Sequence, residues 1–156
     1  MGPVLIGGMA LFGDRWPAFD VSWTPPAPPG LARAALAAGG AGWEELVFRV
    51  GVYGMVHLAM RRAALAVGLG RAATGLGEVA GLLVSSAAFA ALHFRGATAL
   101  IFDAGLEFDP ASFTWLCMAG ILLGLLFRWR GPGVAAWCHG LFNVALLVGI
   151  DPDILR

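Results

Sequence analysis

The stretch Trp43-Glu44-Glu45-Leu46-Val47-Phe48-Arg49 decides how this chain is read. Two adjacent carboxylates and an arginine stand in a segment that is otherwise apolar. Ionised side chains in hydrocarbon are costly, and they persist where they pair, line a wet cavity or do chemistry. On a helix Glu45 and Arg49 are four residues apart and share a face, which is the spacing of an ion pair. Glu44 is turned about 100° away from Glu45. One carboxylate is therefore expected to be neutralised and the other left free. The remaining polar residues are read as partners of the free one.

The composition around that stretch is that of a membrane protein. Of 156 residues, 59% are hydrophobic and 13% charged, against about 25% charged in soluble domains. The mean hydropathy is +0.79. The length suits one membrane domain over residues 1–156, with 1–30 a partial N-terminal segment and loop and 31–150 a four-helix core. The formal net charge is +0 and lysine is absent. The arginines stand at segment ends and form no basic face, so the partner implied is the lipid bilayer and not nucleic acid. Cys117 and Cys138 lie in separate apolar segments without C-x-x-C spacing and read as small buried hydrophobes.

Residues 1–12 fall short of the ~20 apolar residues that span a bilayer and lack the charged start of a signal peptide. They read as the tail of a truncated helix or as an interfacial segment. Residues 13–30 read as a loop, because Pro25-Pro26-Ala27-Pro28-Pro29-Gly30 bars a helix. Trp16, Phe19 and Trp23 in that loop suit a membrane interface. Four helices are expected after it, at about 31–60, 73–94, 111–127 and 132–150. The fold class is all-α, a polytopic transmembrane helical bundle. In the first helix Gly39-Gly40-Ala41-Gly42 either makes a kink or admits a neighbour. In the second, Gly75, Gly77, Gly81, Ser85 and Ser86 form a small-residue stripe for close packing. Arg61, Arg62, Arg71, Arg128 and Arg130 mark the cytoplasmic side, with the loops at 13–30 and 96–110 outside.

Strongly polar side chains inside the apolar segments are Glu44, Glu45, Arg49, His57, Glu78, His93, His139 and Asn143. Glu44, His93, His139 and Asn143 fall at comparable depth if the first helix begins well before Trp43. A carboxylate in a desolvated pocket is a competent general base. His93 can share the water with Glu44 and pass a proton to a leaving amine. His139 and Asn143, four apart on one face, offer N–H donors toward one point, as an oxyanion hole requires. This set suits amide hydrolysis by an activated water, and no Ser or Cys is partnered with a base as a nucleophile would be. A metal reading places divalent zinc on Glu44, His93 and His139. H-E-x-x-H is absent and Asn is a poor zinc ligand, so no cofactor is expected. His57 reads as packing, and Glu78 as a cap of the second helix or a partner of the Arg61, Arg62 and Arg71 loop. Trp115, Trp129 and Trp137 read as interface anchors or packing.

Glu44-Glu45-x-x-x-Arg49, Phe89-x-x-x-His93 and His139-x-x-x-Asn143, in that order on separate hydrophobic segments, resemble the CPBP superfamily. That superfamily holds the CAAX prenyl endopeptidases and the bacteriocin-processing (Abi) intramembrane proteases. The resemblance covers roughly residues 40–150. It implies an intramembrane endopeptidase in which Glu44 and His93 activate water and His139 and Asn143 hold the oxyanion. Glu45, Arg49 and Phe89 are then supporting residues. It further implies a membrane-anchored or C-terminal-tail peptide substrate and a multi-pass location in a plasma membrane, here the bacterial inner membrane. Family members generally carry further helices before the core, here expected to be missing or reduced to residues 1–12. Two other readings keep the same residues. One is a non-catalytic membrane immunity or partner protein that retains the pocket. The other is a small transporter or channel, against which the absence of an inverted repeat counts.

Overall fold

The computed structural model describes residues 30–95 and 106–150. The N-terminal segment and loop, Asp103, the Asp151-Pro152-Asp153 end and the aromatic residues Trp16, Phe19 and Trp23 lie outside the described residues.

Residues 30–66 contain no proline and are rich in alanine and leucine, the residues that lose least on entering a helix. They form one unbroken rod: α1 (Gly30–Glu45), a π-helical stretch (Leu46–Tyr53) and α2 (Gly54–Ala66). The backbone at Glu45, Tyr53 and Gly54 is right-handed helical, so the junctions do not interrupt it. The rod thus starts well before Trp43, as the approach of Glu44 to His139 demands. It also runs past Arg61-Arg62, because arginine is a good helix former and carries no stop signal. The stop comes at Gly68, with φ 80°. There Leu69 N–H donates to Ala64 O at 2.9 Å and Gly68 N–H to Leu65 O at 3.1 Å. This pair of bonds is the Schellman motif, which a glycine in the left-handed region permits.

The helix irregularity falls on the π-helical stretch and not on the glycine run. Gly39, Gly40 and Gly42 have open space where a Cβ would stand. Wide π turns are uncommon and concentrate at functional sites. Here one begins immediately after Glu45 and carries Arg49.

α3 spans Ala73–Ala91 and packs along the second half of the rod. A Cβ on Gly77 would stand 2.7 Å from the His57 carbonyl, and one on Gly81 would stand 3.0 Å from that of Tyr53. Gly75, in contrast, has nothing within 4 Å. Two glycines of the expected stripe therefore let the rod and α3 touch backbone to backbone.

α4 (Pro110–Arg130) opens with strong local signals. Asp109 Oδ2 accepts from Ser112 N–H at 2.7 Å and Pro110 occupies the first turn. It closes at Gly131, with φ 84°. Arg128 and Arg130 lie in the last turn, where cations complement the free carbonyls. α5 (Pro132–Ile150) follows at once and packs on α1 and on α4. A Cβ on Gly140 would stand 3.4 Å from the Ala38 Cα, so the close approach to the first helix comes from a glycine of α5.

The result is an all-α bundle in which the rod touches α3 and α5, and α4 touches the same two from the other side. Its interior is small: Phe48, Phe89, Ala90, Phe94 and Leu116 form the main core, and Trp115 with Ala119 a second one. Large apolar side chains such as Trp43, Val50, Met55, Leu83 and Leu141 are turned outward. α3 and α4 are long and apolar enough to cross a membrane, and only 39% and 33% of their apolar windows are buried. The core helix of a soluble protein would be mostly buried, so outward-facing apolar surface on this scale suits lipid.

Candidate active site

The site lies where the end of α1, the π-helical stretch, α3 and α5 meet. Glu45 and Arg49 are the largest fully buried side chains among the described residues, at 1% and 0% exposure. Arg49 Nε donates to Glu45 Oε2 at 3.1 Å, so the pair expected from the four-residue spacing is formed. Burying one ion without its partner would cost on the order of several kcal/mol, which is why the two occur together. Arg49 has further N–H groups to satisfy. Its Nη1 donates to Ser85 Oγ at 3.3 Å, and its guanidinium carbon lies 5.4 Å from the centre of the Phe89 ring. A cation over an aromatic face gains from the ring quadrupole, more so when desolvated.

α5 supplies the third member. His139 is buried, and its Nδ1–H donates to Glu45 Oε1 at 3.1 Å, since an ionised carboxylate can only accept. Both oxygens of Glu45 are therefore occupied, by Arg49 and by His139. That bond leaves His139 Nε2 facing Glu44, whose Oε2 stands 3.7 Å away. Glu44 Oε2 is buried and has no hydrogen-bond partner, although the Glu44 side chain as a whole is 30% exposed. Two neighbouring carboxylates thus have opposite environments: Glu45 is closed, and Glu44 is open on a buried oxygen.

Phe89 is the hub of the aromatic contacts. Its ring meets His93 at 4.8 Å, His139 at 5.6 Å and Phe48 at 5.6 Å, all edge to face. One buried phenyl ring therefore orients both imidazoles. His93 lies just beyond the end of α3, not within the helix as the hydrophobic pattern suggested. A lone bridge between Phe94 and Leu106 ends the helix there. Leu106 N–H donates to His93 O and Arg95 N–H to Leu106 O, both at 2.9 Å, pinning the backbone on each side. His93 Nδ1–H donates to Phe89 O at 2.8 Å, which leaves Nε2 with its lone pair.

Asn143 stands apart from this arrangement. Its Nδ2 donates to Ala37 O of α1 at 3.5 Å, a long bond. Glu45 takes His139 Nδ1–H and the α1 backbone takes the Asn143 amide, while His139 Nε2 is turned toward Glu44. The zinc set fares similarly. Among the described residues no group of three His, Cys, Asp or Glu side chains is drawn together to hold a metal ion. Glu44, His93 and His139 as placed form no such group.

One further expectation changes. Glu78 meets neither a helix end nor the Arg61, Arg62 and Arg71 loop. Its Oε1 accepts from Arg128 Nε at 3.0 Å and Nη2 at 2.6 Å, because α4 runs beside α3 and ends level with it. His57 is packing, stacked on Tyr53 and pressed against Gly77. Trp115 is buried, whereas Trp129 and Trp137 are exposed as anchors would be. Cys117 and Cys138 are free thiols, both part-buried. Sequence reading missed Ser85 as a partner of Arg49. The available signal was the surplus of arginine donors beside a segment with few polar acceptors.

Fold and site together define a helical membrane-type bundle built around a buried Glu-Arg-His cluster with one free carboxylate. A family model described as type II CAAX prenyl endopeptidase Rce1-like matches residues 26–145, and the chain belongs to this family. The family is one of integral membrane proteases, which makes the chain a protease, a hydrolase, at the general level. Neither the curated proteins nor the solved structures gave a match.

Proposed function

We propose that this chain is a multi-pass intramembrane endopeptidase that cuts a membrane-anchored or C-terminal-tail peptide using a water activated by Glu44 and His93. The observation that carries the reading is the division between the two glutamates. Glu45 is saturated, while Glu44 keeps a buried, unpartnered oxygen beside His139 Nε2. A carboxylate with an uncommitted oxygen in a partly desolvated site is what general-base catalysis needs.

In this mechanism Glu44 takes one proton from water as the water oxygen bonds to the scissile carbonyl carbon. The carbonyl oxygen gains the charge, and an N–H on His139 Nε2 stabilises it, available when the ring carries both protons. Glu45 on Nδ1 orients that ring, as the buried carboxylate of a catalytic triad orients its histidine. The C–N bond then breaks. His93, whose Nε2 is free, relays the proton to the leaving amine. Asn143 joins the oxyanion site by giving up its long bond to Ala37.

The test is cleavage of membrane-anchored peptides, with and without a prenylated CAAX tail, by the protein reconstituted in vesicles. Glu44→Gln and His93→Ala should each lower cleavage by about 10²-fold or more while the protein stays folded. Cleavage that survives both substitutions defeats the enzyme reading. A non-catalytic immunity or partner role draws on the engaged Asn143 amide. It requires that the same two variants keep full biological effect.

A further inference from the structure

We infer that Ser85 is a positioning residue, whose hydroxyl sets the orientation of His139 through Arg49 and Glu45. The inference deepens the proposed water-activating reading and rests on that reading only for its catalytic consequence.

Ser85 is fully buried on α3, facing the π-helical stretch. Its hydroxyl has one proton to place, and Oγ–H donates it to Leu82 O at 3.2 Å, three residues back on the same helix. A backbone carbonyl in a helix cannot swing away, so the hydroxyl direction is set. The oxygen lone pairs are thereby presented to Arg49 Nη1, which donates at 3.3 Å. Arg49 Nε continues to Glu45 Oε2, and Glu45 Oε1 to His139 Nδ1, both at 3.1 Å. The last ring nitrogen, Nε2, faces Glu44. An unbroken series of hydrogen bonds thus ties the α3 backbone to the imidazole beside the free carboxylate.

The series has no slack at Arg49. Its Nη2 is already buried without a partner, so losing Ser85 would leave a second N–H orphaned on a fully buried guanidinium. Unpaired buried donors on a charged group are expensive enough to drive rearrangement. The planar, rigid guanidinium turns as one body, so relief at Nη1 moves Nε and with it the Glu45 carboxylate. The neighbouring Ser86 is an internal control. It is equally buried, its Oγ has no hydrogen-bond partner, and its Cβ packs against Gly120.

The chain has three histidines, so selective 15N labelling of the full-length protein in nanodiscs reports three rings, assigned by single His→Ala substitutions. In the unsubstituted protein His139 should show a slowly exchanging Nδ1–H characteristic of a bond to a carboxylate. Ser85→Ala is expected to shift or abolish that resonance while the His57 signal stays in place, which shows that the bundle is folded. Ser86→Ala should leave all three rings unchanged. A His139 spectrum unaltered by Ser85→Ala overturns the inference, as does an equal change in Ser86→Ala. The readout uses no substrate, so a negative cleavage assay and a negative result here are separate failures.

Discussion

Glu44 and Glu45 are adjacent in sequence and opposite in circumstance. Glu45 has one oxygen on Arg49 and the other on His139, each at 3.1 Å, whereas Glu44 keeps a buried Oε2 without any hydrogen bond. Glu44→Gln and Arg49→Ala should therefore separate activity from stability. Glu44→Gln leaves thermal unfolding in detergent unchanged and removes cleavage. Arg49→Ala leaves the buried Glu45 without its cation and costs about 3–5 kcal/mol, the usual loss when one partner of a buried pair is removed. Chemical denaturation of the two variants side by side measures the contrast. Equal destabilisation by both would contradict it.

Phe89 touches Phe48, both imidazoles and the Arg49 guanidinium with one ring. Phe89→Ala should destabilise by about 3 kcal/mol, the lower end for such a truncation. The lower end is expected because a membrane-inserted reference state is itself apolar, so packing and not transfer from water is lost. Phe89→Leu, which keeps bulk but not the ring edges, should retain most stability and still disturb both histidine resonances.

Glycines on the two faces of the bundle should respond in opposite directions. A Cβ at Gly77 meets the His57 carbonyl at 2.7 Å, a backbone atom that cannot step aside. Gly77→Ala must push the rod off α3, at about 1–3 kcal/mol. Gly40 has open space around it, so Gly40→Ala should stabilise its helix by up to about 1 kcal/mol through propensity alone. Unfolding midpoints of the pair provide the check.

Asp109 caps α4 through Ser112 N–H. Asp109→Ala should cost about 1 kcal/mol, whereas Asp109→Asn or Asp109→Ser should recover most of it. Denaturant midpoints of the three variants decide this. An equally large loss in all three would show that the carboxylate matters for something other than the cap.

Much of the fold was legible because it is local. Apolar run lengths place the helices, whereas the first rod and α4 run past their expected ends at 60 and 127 and stop at Gly68 and Gly131, both with positive φ. The Glu45–Arg49 pair was equally legible, since four-residue spacing on a helix is enough to bring the two together. The boundaries were less so. His93 falls outside α3 because Phe94 bridges Leu106, a contact between segments that no window of sequence contains.

The partners of the site were decided at longer range. Composition and three spaced motifs determined the class of protein and the family. They also required a first helix beginning well before Trp43, because a buried carboxylate cannot sit at a helix start in the interface. Only the tertiary structure decided which groups close on Glu45, that Phe89 touches both His93 and His139, that Asn143 turns to Ala37, and that Arg128 takes Glu78. Periodicity fixes the face a side chain occupies on its own helix. Which neighbour that face meets depends on how helices far apart in sequence pack, and here backbone contact at Gly77 and Gly140 sets that arrangement.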